Sequence, residues 1–371
     1  MEVSAEQVRW FRCKRSGLVE PMATPEAVTT ALIGVQAQIL TAGGLAVWQR
    51  TIGLDQAGFE AALYQRRSLV KLWGMRSTLH LFTSQEWPLI YAATWQEGST
   101  YYERQVRKNG GDLEAFHEAI RHVAHLLQQR QRLTRSDLRA AELQLSDELL
   151  SAWGGIFSEL VHRGLACHAG QSGSEGVFAW REYWLPDLVW DPPPFEAANV
   201  TLLRRYFHAY GPATEADFRF WRYTPAGASR RWLAAVQPEL ATVKVDGQTL
   251  LLFRDDLAEL AEPAPAAEAW PVKLLYRFDP LLLAHKDKGW LVDAAQYKQV
   301  WRAAGHIEGT ILVHGRIAGT WRYQRQGVGL DVQLAPFAPL PAFAQPAIES
   351  QLQGIAAFFG LPLRRVDSGE W

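Results

Sequence analysis

At 371 residues the chain exceeds one ordinary core, and ~100–200 residues per domain leaves room for two to four modules. Hydrophobic residues at 48% and charged residues at 21% describe a folded chain and exclude a disordered one. A net charge of −1 does not advertise nucleic acid, yet 30 of the 38 basic residues are Arg, whose fork suits phosphate and base edges. No apolar run approaches the ~20 residues of a membrane helix, and Met1-Glu2-Val3-Ser4-Ala5-Glu6 has no signal-peptide pattern. The two cysteines, Cys13 and Cys167, form no disulfide framework or metal cluster, so a cytoplasmic setting is expected.

In chain order, Val8 to Arg15 reads as a helix, and Thr24-Pro25-Glu26 starts another with a Thr cap and Pro at the first helical position. That helix runs through Ile33 to a stop at Gly34, with Thr41-Ala42-Gly43-Gly44 as further stop signals. Between them lie Gln36 and Gln38. On a helix, residues two apart face opposite ways; only an extended backbone turns both to one side. The plain alternative is a pair of solvated glutamines. A hairpin follows, Leu69 to Trp73 with Thr78 to Phe82. Arg76, Thr78 and His80 alternate there, which predicts one wet face, with Leu79 and Leu81 turned to the core.

The next stretch repeats this order. A helix from Asp112 to Gln129 precedes Leu133-Thr134-Arg135-Ser136-Asp137, where Thr caps and an acid stands three residues on. A long helix is expected from about Asp147 to His162, with Leu149, Leu150, Trp153, Ile156, Phe157, Leu160 and Val161 at helical spacing. Two strands, Leu165–His168 and Val177–Trp180, complete a helix, capped helix, long helix, hairpin series: the winged helix-turn-helix order. It recurs with Leu202–Phe207, the capped start at Thr214, Ala226–Val236, and the hairpin Leu240–Val245 and Gln248–Phe253 around Asp246-Gly247. Three copies of one unit is the structural expectation.

Glu262-Pro263-Ala264-Pro265-Ala266 reads as a linker. Beyond it, short strands with Gly-rich turns predict a small β-barrel or sandwich, and an amphipathic helix from Ala347 to Phe359 closes the chain. The expected class is α+β, with residues 1–111, 112–194 and 195–262 as three tandem winged helix-turn-helix units and 263–371 as the β module. Zinc spacing, P-loop, dinucleotide fingerprint and nucleophile elbow are missing. His117, His122 and His125 share a helix without Cys or an acid cluster, and read as solvated or half-buried. Lys286-Asp287-Lys288 is a basic loop that suits either a solvated turn or a phosphate contact.

Four phrases read together carry a resemblance over nearly the whole length: Val35-Gln36-Ala37-Gln38, Trp73-Gly74-Met75-Arg76-Ser77-Thr78-Leu79-His80-Leu81, Leu274-Leu275-Tyr276-Arg277-Phe278-Asp279-Pro280, and Gly315-Arg316-Ile317-Ala318-Gly319-Thr320-Trp321-Arg322. The chain resembles the AlkZ-type DNA glycosylases, a winged-helix family of bacterial alkylpurine and crosslink repair enzymes. Two departures stand out: Ala37 is smaller than the usual aliphatic residue, and Ser77 replaces the usual Gly. Gln38 excludes the related subfamily with Asp at that position. The resemblance implies winged units and a β-barrel around a concave DNA channel, with Gln36 and Gln38 as the catalytic pair. It implies Arg76, Thr78, His80, Arg277, Lys286, Lys288 and Arg322 as DNA contacts. It also implies a nucleoid-associated monomer on double-stranded damaged DNA, without metal or cofactor. The competing expectations are a winged-helix regulator, which would dimerise and not need the paired glutamines, and a scaffold for protein partners.

Overall fold

Ser4 starts the first helix, Ala5–Arg15, three residues earlier than the periodicity suggests. Its side chain accepts from Gln7 N, and the Gln7 side chain reaches back to the cap. The computed structural model describes residues 1–141, 143, 145–151 and 154–369, the side chains of 96–101 excepted. The fold mixes helix and sheet, in two compact units: Met1–Phe59 with Val200–Trp371, and Glu60–Asn199.

In the first unit, Thr24 caps the helix Pro25–Ala31 as expected, accepting from Ala27 N at 3.1 Å. The stop signals at 41–44 are not a stop. Leu40–Trp48 is a helix, with Ala42 through Val47 buried. Burial overrides the weak propensity of Thr41, Gly43 and Gly44. A Cβ on Gly44 would lie 3.0 Å from the Phe59 ring and 3.4 Å from Phe358, so glycine permits a close approach.

The helix Phe195–Tyr210 enters this unit at Val200, and helices Glu215–Arg222 and Ala226–Val236 follow. Thr214 and Asp217 close a reciprocal capping box at the start of Glu215–Arg222. Tyr206, Phe218, Trp221 and Trp232 form an aromatic core between them. The hairpin Leu240–Val245 with Gln248–Phe253 turns through Asp246 (φ 46°) and Gly247 (φ 76°), as the Asp-Gly pair predicts.

The C-terminal strands are Lys273–Leu275, Gly309–Val313, Arg316–Gln326, Gly329–Pro336 and Leu363–Ser368. They form one sheet, with each strand beside its chain neighbour. The first four pair antiparallel; the last joins in parallel. A parallel neighbour needs a crossover, and the helix Ala344–Phe359 supplies it. The final helix therefore does not close the chain. Among the described residues no ladder joins the two edge strands, so the sheet is open where a small barrel was expected.

The second unit holds a five-strand run in the order Leu79–Thr83, Leu69–Trp73, Ala166–Ser172, Glu175–Trp180, Arg132–Leu133. Lys71 opposite His168 joins the two hairpins into one sheet. Helices Trp87–Lys108 and Leu113–Arg130 precede Thr134, which forms the anticipated capping box with Asp137. The long helix expected from 147 begins only at Gly155. Gly155 has φ 57°, and a Cβ there would lie 2.2 Å from the Leu149 carbonyl, so the chain turns before it can propagate. Ile156, Phe157, Leu160 and Val161 are buried as expected, Leu149 and Leu150 lie in the preceding turn, and Trp153 lies outside the described residues.

Candidate active site

The helix Pro25–Ala31 ends in a left-handed turn. Gly34 N donates to Thr29 O at 2.8 Å and Ile33 N donates to Thr30 O at 3.1 Å, the paired bonds of a Schellman motif. Ile33 occupies the left-handed position usually given to glycine, with φ 56°, and Gly34 follows at φ 91°. The Tyr210 hydroxyl donates to Leu32 O at 2.7 Å and satisfies a carbonyl that the helix end leaves open. The chain then runs extended through Val35–Gln36 and bends at Gln38 before Leu40–Trp48 begins.

The two glutamines are therefore not on a helix. Gln36 is 7% exposed, Ala37 is fully buried and Gln38 is half-buried. A side chain held that far from water keeps its amide only through hydrogen bonds, and both glutamines have partners. An amide offers a carbonyl acceptor and two donors and stays neutral at every physiological pH.

Arg76, Thr78 and His80 lie in the second unit. Arg76 is half-buried in the turn Met75–Ser77 and, like Ser77, takes a left-handed backbone, φ 56° and 52°. The wet face expected for this hairpin is absent: every residue of Leu69–Trp73 and Leu79–Thr83 is buried. His80 is 2% exposed. Its Nδ1 donates to Thr78 O at 2.9 Å, which leaves Nε2 as the acceptor. Burial, with Arg76 nearby, holds its pKa down at about 3, so it is neutral. A buried neutral ring offers a hydrogen bond and no charge to a phosphate.

Arg277 and Arg322, far apart in sequence, come together on one carboxylate, Glu308. The basic loop divides. Lys286 is exposed, and its backbone N donates to Asp217 Oδ1 at 2.8 Å. Lys288 is 5% exposed, and its Nζ donates to the carbonyls of Leu282 and His285 with the rings of Phe220 and Trp301 at 5.0 and 5.5 Å. As a phosphate contact Lys288 is corrected to a buried clasp. Asp279, inside one of the shared phrases, is fully buried and receives both arms of Arg50 at 2.8 Å. Arg302, His306 and Glu308 were missed in the sequence because only the folded sheet brings them to Arg277 and Arg322.

Comparison with known proteins adds the identity of the scaffold. The model of the family described as DNA glycosylase AlkZ-like matches residues 29–358. The interstrand DNA cross-link repair glycosylase of Streptomyces sahachiroi is 30% identical over 381 residues, covering 99% of this chain and all of that protein. The solved structure of Streptomyces sahachiroi DNA glycosylase AlkZ aligns over the whole of both chains with a TM-score of 0.83 at 27% identity. The class is thereby defined: the protein is a DNA glycosylase, a hydrolase acting on N-glycosyl bonds. Within that class the chain belongs to the AlkZ-like family.

Proposed function

We propose that this chain is a monofunctional glycosylase that hydrolyses the N-glycosidic bond of N7- or N3-alkylated purines in double-stranded DNA. The observation that carries the reading is the non-helical segment from Val35 to Gln38, set between two helices, with Gln36 nearly removed from solvent. An alkylated purine is already cationic and leaves without a general acid. What remains is to hold a water against the anomeric carbon and to stabilise an oxocarbenium-like sugar. A Gln carbonyl is too weak a base to ionise water, but it accepts a hydrogen bond from it and so aims the oxygen lone pair, the proton passing to solvent after attack; two such amides fix its direction. Without a lysine in the motif, no Schiff-base step is assigned.

Three winged helix-turn-helix units, at 1–111, 112–194 and 195–262, followed by the β module at 263–371, are the DNA-binding frame in this reading. Support comes from the repeated capping boxes at Thr134 and Thr214, each followed by a helix and a hairpin. Arg76, Thr78, Lys286, Arg277 and Arg322 are proposed contacts, and His80 is a neutral acceptor in the same wing. The S. sahachiroi relative is named for interstrand crosslink repair, and unhooking of crosslinks belongs to this proposal.

The test is base release from an oligonucleotide carrying N7-methylguanine, with wild type beside Gln36→Ala and Gln38→Ala. Release by wild type, and its loss in either variant with duplex binding retained, is the expected result. Equal release by all three proteins sinks the water-positioning role.

A further inference from the structure

Glu308 has no exposed surface, and it stands immediately before the strand Gly309–Val313. Four basic side chains converge on its two oxygens. Arg322 donates through Nε at 3.0 Å and Nη2 at 2.6 Å; Arg302 Nε lies at 2.8 Å, His306 Nε2 at 3.3 Å and Arg277 Nη2 at 3.9 Å. Burial pushes the Glu308 carboxyl up, but the Arg322 hydrogen bonds and the charges of Arg322, Arg302 and His306 outweigh it and hold it below its usual range. The carboxylate is thus ionised; the two-fold bond from Arg322 matches its charge, and Arg277 and Arg302 stand beside it as further cations.

A structural ion pair balances its charges; this one does not. Among the described residues, Arg277, Arg302 and His306 meet no second carboxylate. The Arg277 Nε is buried without a hydrogen-bond partner. The side chains nevertheless reach water: Arg277 is 24%, Arg322 35%, His306 38% and Arg302 43% exposed. The forks of Arg277 and Arg302, held at one point with an open side and unspent charge, match the tetrahedral oxygens of a phosphate.

We propose that this cluster is a preformed phosphate site for the DNA backbone, with Arg302 and His306 as its exposed ligands beside Arg277 and Arg322. Glu308 is the positioning residue. It takes the inner donors, orders the side chains before DNA arrives, and so lowers the entropy lost on binding. The inference rests on the glycosylase reading, because that reading supplies DNA as the partner.

The experiment is fluorescence-anisotropy binding of an undamaged duplex by the full chain across a salt series, with N7-methylguanine release measured in parallel. Each phosphate contact contributes about 0.9 to the slope of log affinity against log salt. Arg302→Gln should lower the slope by roughly that amount on every sequence tested, and Arg302→Lys should restore the slope without restoring the affinity. Glu308→Gln makes the chain more basic, so simple charge predicts tighter binding; a positioning role predicts weaker binding. If Glu308→Gln does not fold, the two Arg302 variants still decide. An unchanged slope in Arg302→Gln, while wild type releases base, overturns the site and leaves the glycosylase reading intact. A lowered slope in a chain that releases no base keeps the site and removes that reading. A His306 imidazole resonance that moves with inorganic phosphate at constant ionic strength, with the duplex slope unchanged in Arg302→Gln, assigns a free anion and overturns the DNA assignment.

Discussion

The Arg50–Asp279 pair allows a quantitative test of what holds the first unit together. Neither side chain is exposed, and the guanidinium meets the carboxylate through two parallel bonds of 2.8 Å. Arg50 also donates to Ser16 O at 2.6 Å and Ala46 O at 2.8 Å, while Asp279 accepts from Leu281 N at 3.0 Å. Asp279→Asn keeps the shape and the cap on Leu281 but leaves a buried cation with no counter-charge. Breaking one side of a buried pair costs about 3–5 kcal/mol. The two backbone carbonyls still hold Arg50 in place, which puts the expected loss near the lower end. For a unit of this size, ~2–4 °C per kcal/mol makes a loss of about 3 kcal/mol a fall in Tm of roughly 6–12 °C. Urea unfolding followed by tryptophan fluorescence measures it. The double variant Arg50→Met with Asp279→Leu removes both charges and should lose less than Asp279→Asn alone. A loss below about 1 kcal/mol in the single variant, or a double variant as unstable as the two singles summed, refutes the reasoning.

Acid should weaken the second unit. Burial holds His80 at about 3, His162 at about 4 and His168 at about 3. The unfolded chain, with histidines near 6.5, therefore binds more protons, and stability falls as pH drops below 6.5. Glu159 acts in the opposite sense, since burial raises it to about 7 and the folded state takes its proton first. Three histidines against one glutamate leave a loss of roughly 2–3 kcal/mol per pH unit between pH 6 and 5; a flat profile there in urea melts contradicts the burial argument. Lys71 is 6% exposed, and burial lowers it to about 8. Lys71→Met should stabilise by up to about 3 kcal/mol below pH 8, with the gain fading towards pH 10. Thermal melts at pH 7 and pH 10 measure this, and an equal gain at both would show that charge burial is not its source.

Features governed by a few adjacent residues were legible in the sequence. The caps at Thr24, Thr134 and Thr214 need only a hydroxyl and an amide three residues on, and the Asp246-Gly247 turn needs only two tolerant backbones. The non-helical state of Gln36 and Gln38 could be argued from their spacing, because period 2 and period 3.6 make different demands. Features decided by distant packing were not legible. Thr41, Gly43 and Gly44 look like a helix stop until the burial of Ala42 through Val47 is known. Lys288 looks like a surface lysine because the carbonyls and rings that claim it are set by the fold. His80 alternates with polar neighbours as a wet strand would, yet both faces of its strand are covered. Arg302 and His306 carry no motif; their relation to Arg277 and Arg322 exists only through Glu308.

Ile33 has a consequence for how this protein tolerates change. A branched side chain in the left-handed region costs about 1–2 kcal/mol relative to the ordinary helical one, and Ile33 sits there at 1% exposure, three residues before Gln36. Local preference would not choose that turn; the core imposes it. The direction in which the glutamines leave their helix is thus inherited from the interior and not written in the motif itself. Surface recoding should leave the pair's aim intact, whereas a void opened beneath Ile33 would let it wander with both amides still in place. Re-aiming the segment that carries Gln36 and Gln38 therefore begins one layer below it, at the core around Ile33.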